Sequence, residues 1–106
     1  MIKISVMYPN GPDARFDDAY YVDQHMPMVK KLMGDHLQYY TVDRALPGQA
    51  DANVPYIAAG HLFCASLDAF NAGFGPHTKE IMADIPNYTN LKPVMQFSDV
   101  LVDKLS

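Results

Sequence analysis

The sequence predicts an α+β fold in which one four-stranded antiparallel sheet carries helices on one of its faces. Segments of strand-like and helix-like periodicity follow one another in the order β-α-β-β-α-β, which is typical of a two-layer domain of this kind. The 106 residues suffice for one domain with its own core, which we expect to span residues 1–106. Hydrophobic residues make up 49 % of the chain and charged residues 19 %, a composition typical of folded rather than disordered proteins.

A change of hydrophobic period separates the first strand from the first helix. Apolar residues occupy every second position from Ile2 to Tyr8, which predicts a strand, and a Pro-Asn-Gly-Pro turn ends it. Helical periodicity then runs from about Asp17 to Met33, and Gly34 suits the C-cap. Pro27 lies inside this helix without an N–H to donate, so we expect a kink or a break near His25–Met26.

Two further strands follow, joined by a long connection. Aromatic and β-branched residues predict a second strand over Leu37–Val42 and a third over Tyr56–Phe63. The connection at Ala45–Val54 contains proline, glycine, asparagine and aspartate, so we expect a surface loop of hairpin type that is longer than a tight turn.

The second helix is predicted in two pieces. Ser66 suits the N-cap of the first piece, and Gly75-Pro76 ends it and begins the second, which stops at Pro86. The last strand is predicted over Val94–Val102. The complete order is that of a ferredoxin-like βαββαβ fold, with the helices packed on one face of the sheet.

Apolar residues on both sides of the last two strands predict that the second face of the sheet is also covered. An antiparallel sheet with one face in water alternates cleanly between apolar and polar residues. Both sides of these strands are apolar, with Tyr56, Leu62, Val94, Val100 and Val102 on one parity of their strand and Ile57, Phe63, Met95, Phe97 and Leu101 on the other. We therefore expect a homodimer in which a second copy covers this face. The alternative is a scatter of surface apolar residues, which is normal in monomers.

Charge and cysteine content exclude several classes of partner. Eight Lys and Arg against twelve Asp and Glu give a net charge of −4, which disfavours nucleic acid as a partner. No stretch approaches the ~18 apolar residues of a membrane span, and no secretion signal is recognisable, so we expect a soluble, cytoplasmic protein that binds no membrane. The single cysteine excludes an internal disulfide and a Cys-rich zinc module.

Histidine and tyrosine are the residue types that equip this chain for acid/base chemistry. His25 lies at the edge of the apolar stripe of the first helix, in line with Tyr21, where a half-buried imidazole beside a phenol suits proton transfer. The alternative is a structural histidine that donates one N–H to the carbonyl freed by Pro27, and spacing alone does not separate the two. His77 falls in the first turn of the helix opened by Pro76, as a second titrating group or as a solvated helix-start residue.

Tyr39, His61 and Tyr88 are candidate pocket residues, although aromatic strand residues more often belong to a core or an interface. His61 shares the parity of Ile57 and Phe63, so it faces either the helices or the dimer contact. No phosphate-binding glycine motif occurs, and the four histidines lack metal-ligand spacing, so we expect neither a cofactor nor a metal.

Several segments resemble the EthD family. The first is Tyr20–Pro27, which has the pattern Y-x-x-x-H-x-P. Tyr40–Arg44 together with Pro55–Ala58 resemble the second and third strands of the family, and the similarity continues through Phe70–His77 and Glu80–Thr89. The resemblance therefore extends over nearly the whole chain.

The resemblance implies a dimeric α+β barrel in which two ferredoxin-like sheets pack face to face, with the site between the sheet and the helices of one subunit. The family is named from an ethyl tert-butyl ether degradation cluster. Its wider superfamily includes polyketide cyclases, muconolactone-type isomerases and cofactor-free monooxygenases. His25 matches the helix histidine of the family, and His77 lies close to where related cyclases place a catalytic histidine.

We therefore expect a cofactor-independent enzyme of small cyclic or aromatic catabolites. His25 would act as general base or acid, His77 as a second titrating group, and Tyr21 as a hydrogen-bond donor to a developing enolate or phenolate. The chemistry would be of isomerase or cyclase type, or a cofactor-free oxidation of a phenolic substrate. The alternative is a non-catalytic metabolite-binding or accessory protein of a catabolic pathway. Two histidines within reach of one ligand-sized void favour the enzyme, and histidines that face apart favour the accessory role.

Overall fold

A computed structural model describes residues 1–46 and 54–104 and has the α+β architecture that the sequence predicts. The strands are β1 (Ile2–Pro9), β2 (Tyr39–Arg44), β3 (Tyr56–Cys64) and β4 (Val94–Asp99). The helices are α1 (Asp18–Tyr20), α2 (Met26–Met33), α3 (Leu67–Phe74) and α4 (Thr78–Ala83). A π-helical turn at Tyr21–His25 joins α1 to α2, and 3₁₀ turns occupy Gly34–His36, Gly75–His77 and Ile85–Asn87.

The four strands form one antiparallel sheet in the order β2-β3-β1-β4, which is the order of a ferredoxin-like fold. Ile4 on β1 pairs with Leu62 on β3, and both belong to the core that the helices cover, so this side is called the helix face. The neighbouring row, in which Ser5 pairs with His61 and Gln96, points the other way and defines the outer face.

The core lies between the helix face and the helices. Alternate residues of the central strands are buried there because successive side chains point to opposite faces. Its most deeply buried members are Ile4, Tyr8, Tyr21, Val29, Met33, Leu37, Cys64 and Tyr88. The sheet and both helical regions thus meet in one apolar layer.

The first helix is interrupted at the predicted place. The N–H of Met26 bonds the carbonyl of Tyr21, five residues back, instead of the carbonyl four residues back. Pro27 follows directly and supplies no N–H, so the carbonyl of Asp23 cannot receive its regular helical bond. The break takes the form of a π-helical turn at Tyr21–His25, which rotates the residues on either side of it relative to each other.

The caps predicted at Ser66 and Gly34 are present, and Asp17 caps the first helical region. The side chain of Asp17 accepts the N–H of Tyr20, and the side chain of Ser66 accepts the N–H of Ala69. Gly34 follows α2 with a φ of 59°, a value that favours glycine. One N–H in the first turn of each helical region is therefore satisfied by a capping side chain.

Several strand boundaries differ from the prediction, most clearly the start of β2 and the end of β4. β2 begins at Tyr39 rather than Leu37, because the N–H of Leu37 closes the preceding 3₁₀ turn on the carbonyl of Gly34. β4 ends at Asp99, and the chain beyond it crosses the outer face until Asp103 accepts a hydrogen bond from the Tyr39 hydroxyl at 2.9 Å. Residues 47–53 of the predicted hairpin connection lie outside the described residues.

Phe97 lies on the helix face, so it is not among the apolar residues that a second copy would cover. It pairs with Ile4 and meets Phe70 of α3 edge-on, with ring centroids 5.4 Å apart. Half of its surface stays exposed because β4 is an edge strand. The outer face of β4 carries Val94, Gln96 and Ser98, so the strand alternates between apolar and polar residues only over Met95–Ser98.

Candidate active site

Packed aromatic rings fill the space between the helix face and the π-helical turn. The ring centroids of contacting pairs lie 4.7 to 6.2 Å apart, mostly in tilted or edge-to-face arrangements. This aromatic cluster consists of Tyr8, Phe16, Tyr20, Tyr21, His25 and Tyr88. It joins β1, the first helical region and the segment after α4 into one site.

The phenols of Tyr8, Tyr21 and Tyr88 are protonated at neutral pH. Burial and the adjacent phenols raise the pKa of Tyr8 and the pKa of Tyr21, and burial likewise raises the pKa of Tyr88. The hydroxyl oxygens of Tyr8 and Tyr88 lie 2.6 Å apart, so one donates to the other. Each of the three is therefore a hydrogen-bond donor rather than a base.

The hydroxyl of Tyr21 rests directly on β3. A Cβ atom added at Gly60 would lie 2.2 Å from this oxygen, so only glycine permits the approach. Gly60 pairs with Val42 on β2 and with Val6 on β1, which places the Tyr21 hydroxyl above the middle of the sheet.

Asp84, the residue after α4, accepts hydrogen bonds from side chains of both helical regions. Its Oδ1 accepts from the hydroxyl of Tyr20 at 2.7 Å and from Nδ2 of Asn87 at 2.9 Å, and its Oδ2 accepts from Nδ1 of His25 at 2.9 Å. Burial alone would raise the pKa of Asp84, but these hydrogen bonds outweigh it and lower the pKa below its ordinary value. The side chain is therefore a carboxylate at neutral pH.

His25 is buried, with 4 % of its surface exposed, and not half-buried as the helix pattern indicates. Its ring stacks on Tyr21 at 5.4 Å and meets Tyr88 at 4.7 Å. Its partner is the carboxylate of Asp84 and not the backbone carbonyl freed by Pro27.

The contact with Asp84 fixes the tautomer of His25. A carboxylate only accepts, so Nδ1 carries the proton and Nε2 keeps its lone pair. Among the described residues, Nε2 of His25 has no hydrogen-bond partner. Every fully buried side-chain nitrogen or oxygen atom in that part of the chain does have a partner, so Nε2 is not fully buried and belongs to the small exposed part of the ring. Burial lowers the pKa of His25 more than Asp84 raises it, which keeps the imidazole neutral at neutral pH.

A cleft opens beside the aromatic cluster, between the π-helical turn and strands β2 and β3. It has a volume of about 170 Å³, and we call it the Tyr21 cleft. Its wall is mostly apolar, and the residues that line it are Phe16, Tyr21, Val22, Val42 and Ala58, with Asp18, Asp43 and Arg44 as the charged members. A second hollow of about 220 Å³ shares Phe16, Asp18 and Arg44 with the cleft.

Asp18 and Arg44 form an ion pair where the two hollows meet. The pair joins the start of α1 to the end of β2, and both side chains are exposed to solvent. The Tyr21 cleft therefore combines an apolar interior with one paired set of charges.

Of the predicted site residues, the structure brings Tyr21, His25 and Tyr88 together in the aromatic cluster. Tyr39 and His61 lie on the outer face, across the sheet from Tyr88, so the three residues expected to line one pocket are separated. The parity of His61 allowed either face, and pairing with Ser5 decides for the outer one.

The outer face supplies other partners for these two residues. His61 bonds Ser5 Oγ through Nδ1 at 2.9 Å and Asp43 Oδ2 through Nε2 at 3.1 Å. The ring of Tyr39 stacks on Phe63 with centroids 4.3 Å apart. Both residues thus belong to the surface on which the dimer contact was expected.

His77 lies in the 3₁₀ turn between α3 and α4 and is half-buried. Among the described residues, no hydrogen bond, ion pair or ring contact joins it to His25. The structure therefore does not bring the two candidate histidines into one contact network.

The sequence pattern missed Asp84 and Gly60. Asp84 is 59 residues away from His25 in the chain, and helical spacing gives no information about a contact between two helical regions. Gly60 was visible as a small residue in the middle of β3, and glycine within a strand signals the close approach of another group.

Within residues 1–46 and 54–104, no group of three or more His, Cys, Asp or Glu side chains is arranged to hold a metal ion. In the same part of the chain no helix is both long and apolar enough to cross a membrane.

Comparisons with known proteins agree with this fold. A sequence model of the EthD domain matches residues 10–92. The crystal structure of an EthD-like protein from Ralstonia eutropha JMP134 superimposes with a TM-score of 0.87 at 46 % identity, over 97 % of this chain and 94 % of that one. No curated protein matches the chain.

More distant structures share the fold. An ethyl tert-butyl ether (EthD) family protein from Bacillus halodurans C-125 has a TM-score of 0.70 at 16 % identity, over 95 % of this chain and 99 % of that one. HapK from Hahella chejuensis has a TM-score of 0.59 at 14 % identity, over 100 % of this chain and 99 % of that one.

Proposed function

Because this chain belongs to the EthD family, we propose that it is a cofactor-independent enzyme that moves a proton on a small cyclic or aromatic metabolite bound in the Tyr21 cleft. The observation that carries the proposal is the buried pair of Asp84 and His25. A neutral imidazole whose Nδ1–H is held by a carboxylate has the tautomer and the orientation of a general base.

His25 acts as the base through Nε2. Its lowered pKa keeps the lone pair free at neutral pH, and the carboxylate of Asp84 stabilises the imidazolium that forms when a proton is taken. The surrounding rings of Tyr21 and Tyr88 limit water at the imidazole, which strengthens its interaction with Asp84.

Tyr21 connects this base to the cleft. Its ring stacks on His25, and the same residue lines the Tyr21 cleft. Because the phenol keeps its proton, it donates a hydrogen bond to the oxygen of a developing enolate or phenolate. This arrangement serves isomerase or cyclase chemistry, and it serves cofactor-free oxidation of a phenol as well, since deprotonation precedes reaction with oxygen.

We keep His77 in the proposal as a second titrating group, supported by the family resemblance and not by a contact. A His77→Gln variant tests this role. A loss of activity of roughly 10²-fold or more, the usual contribution of a positioned acid or base, supports it. Unchanged activity removes His77 from the mechanism.

The proposal is tested by exchange of carbon-bound protons, which needs no knowledge of the natural reaction. A ring ketone such as cyclohexanone is incubated with the protein in D₂O, and loss of its α-proton signal is followed by NMR. The wild type is expected to accelerate exchange, and His25→Gln to lower the acceleration by about 10²–10⁴-fold. Gln24→Ala, at an exposed position of the same π-helical turn, is the matched control. Acceleration that survives in His25→Gln contradicts the proposal.

A non-catalytic metabolite-binding protein is the second candidate. One observation favours it, namely that neither His25 nor His77 is among the residues that line the Tyr21 cleft. Binding of ring compounds without any exchange in the wild type would establish this candidate.

A further inference from the structure

We infer that the Tyr21 cleft selects uncharged single-ring compounds that carry a hydroxyl or carbonyl oxygen. The inference rests on the proposed function for the place of the substrate and deepens it by naming the substrate class. It is drawn from the volume of the cleft, its apolar wall and the pairing of its charges.

The volume of the cleft limits the ligand to one ring. The space of about 170 Å³ is close to the ~150 Å³ of an apolar cavity that binds benzene. Its floor is fixed by the sheet residues Val42 and Ala58, and the phenol of Tyr21 is itself held against Gly60. A second ring fused toward this floor would have to displace one of these groups, and the volume of the cleft itself accommodates one ring.

The charges at the cleft disfavour an ionic ligand. An anion at Arg44 would lie beside the carboxylate of Asp18, which already offsets the charge of this guanidinium, so the site offers an anion no net positive charge. Asp43, the other charged residue at the cleft, is bound through its carboxylate to His61 on the outer face, so its charge is directed away from the cleft. A cation would leave water for a wall made mostly of apolar side chains, which is costly without a counter-charge.

An uncharged oxygen, by contrast, can accept a hydrogen bond from Arg44 without repulsion from Asp18. Arginine carries five N–H donors, and the contact with Asp18 is made through one terminal nitrogen of Arg44. Donors on the same guanidinium are therefore left for a hydroxyl or carbonyl oxygen. The second hollow, which shares Arg44 with the cleft, gives room for a short substituent at this end.

The test measures the affinity of four probes for the intact protein. Phenol represents the inferred class, benzoate and benzylammonium test the charge, and 1-naphthol tests the size. Titrations at millimolar probe concentration are followed by amide NMR shifts and calorimetry, because ligands with so few atoms bind weakly. Phenol is expected to bind about tenfold or more tightly than each of the other three, since a buried unpaired charge or an extra ring is costly.

Two matched variants locate the binding site. Val22 is half exposed and lines the cleft, so Val22→Trp fills the cleft without disturbing the core. Gln24→Trp places the same side chain on the same turn at an exposed position away from the cleft residues. Loss of phenol binding in Val22→Trp and its retention in Gln24→Trp support the inference.

The inference is overturned if benzoate, benzylammonium or 1-naphthol binds as tightly as phenol, if Val22→Trp still binds phenol, or if no ring compound binds. Failure of the proposed function gives a different result. In that case phenol selectivity and the Val22→Trp effect persist, while α-proton exchange does not depend on His25. If exchange needs His25 but the probes are not discriminated, only the substrate class is wrong.

Discussion

Asp84 fixes the orientation and the tautomer of His25, as a general base requires. One carboxylate oxygen of Asp84 accepts the Nδ1–H of His25, and the other accepts hydrogen bonds from the hydroxyl of Tyr20 and the side-chain amide of Asn87. The sequence predicted the pairing of His25 with Tyr21, because four residues along a helix bring side chains together. It did not predict Asp84, because contacts between two helical regions depend on how both pack on the sheet.

Removal of the Asp84 side chain is expected to destabilise the fold. Asp84→Ala leaves the donors of His25, Tyr20 and Asn87 without their acceptor, which should lower the free energy of unfolding by roughly 1.5–3 kcal/mol. Urea denaturation measures this change. Asp23→Ala, at an exposed position in the π-helical turn, is the matched control and should change stability little. Equal effects of the two substitutions would contradict the role of Asp84.

The lowered pKa of His25 predicts a pH dependence of stability. The unfolded chain has the ordinary histidine value near ~6.5, so below that pH it binds more protons than the folded protein. Between the pKa of His25 in the folded protein and about pH 6.5, the free energy of unfolding therefore rises with pH. It falls again as the pH is lowered through this window, by up to about 1.4 kcal/mol per pH unit.

This pH dependence is measured by urea denaturation between pH 7 and pH 5. His25→Gln should flatten the slope, because its side chain does not titrate, while Gln24→Ala should keep it. The same slope in the wild type and in His25→Gln would show that another group is responsible.

At the scale of elements, the first helix shows which features of a helix can be predicted from local sequence and which cannot. The missing N–H of Pro27 was enough to predict where the helix breaks. The form of the break, a π-helical turn at Tyr21–His25, was not predictable, because it also depends on how the rings of that turn pack on the sheet. Similarly, the sequence pattern predicts a last strand that extends to Val102, whereas β4 ends at Asp99 and the chain then turns across the outer face.

The contact between Tyr21 and β3 predicts a coupled pair of substitutions. Gly60→Ala should destabilise the protein by about 1–3 kcal/mol, because its Cβ would collide with the Tyr21 hydroxyl. Tyr21→Phe removes that oxygen, so the double variant should lose less than the sum of the two single losses, by at least about 0.5 kcal/mol. Denaturation of the four proteins gives this coupling energy, and strict additivity would show that the two elements do not meet there.

For the whole molecule, the open question posed by the sequence is what covers the outer face. Phe97, one of the apolar residues of the strand pattern, does not belong to this face, because it faces the helices. Other residues replace it, since the outer face carries the stacked rings of Tyr39 and Phe63 together with the half-buried Met7. The prediction of a homodimer therefore rests on Phe63, which the strand pattern indicated, and on Tyr39 and Met7, which it did not.

The homodimer prediction is checked by sedimentation at micromolar concentration. We expect a dimer that buries more than roughly 1,000 Å², the size of a specific interface. Phe63→Glu places a charge on the outer face and should yield monomers, whereas Met82→Glu, on exposed α4, should leave the dimer intact. A monomeric wild type would contradict the dimer and the barrel together.

The aromatic cluster also gives the protein a built-in optical reporter. The chain has seven tyrosines and no tryptophan, and Tyr8, Tyr20, Tyr21 and Tyr88 all belong to this cluster. Near-ultraviolet circular dichroism depends on fixed packing of aromatic rings, and four of the seven tyrosines that can contribute to it lie in the candidate site. The state of that site is thus readable in the unlabelled protein, and substitutions at His25 or Gly60 can be followed there even when the rest of the fold is unchanged.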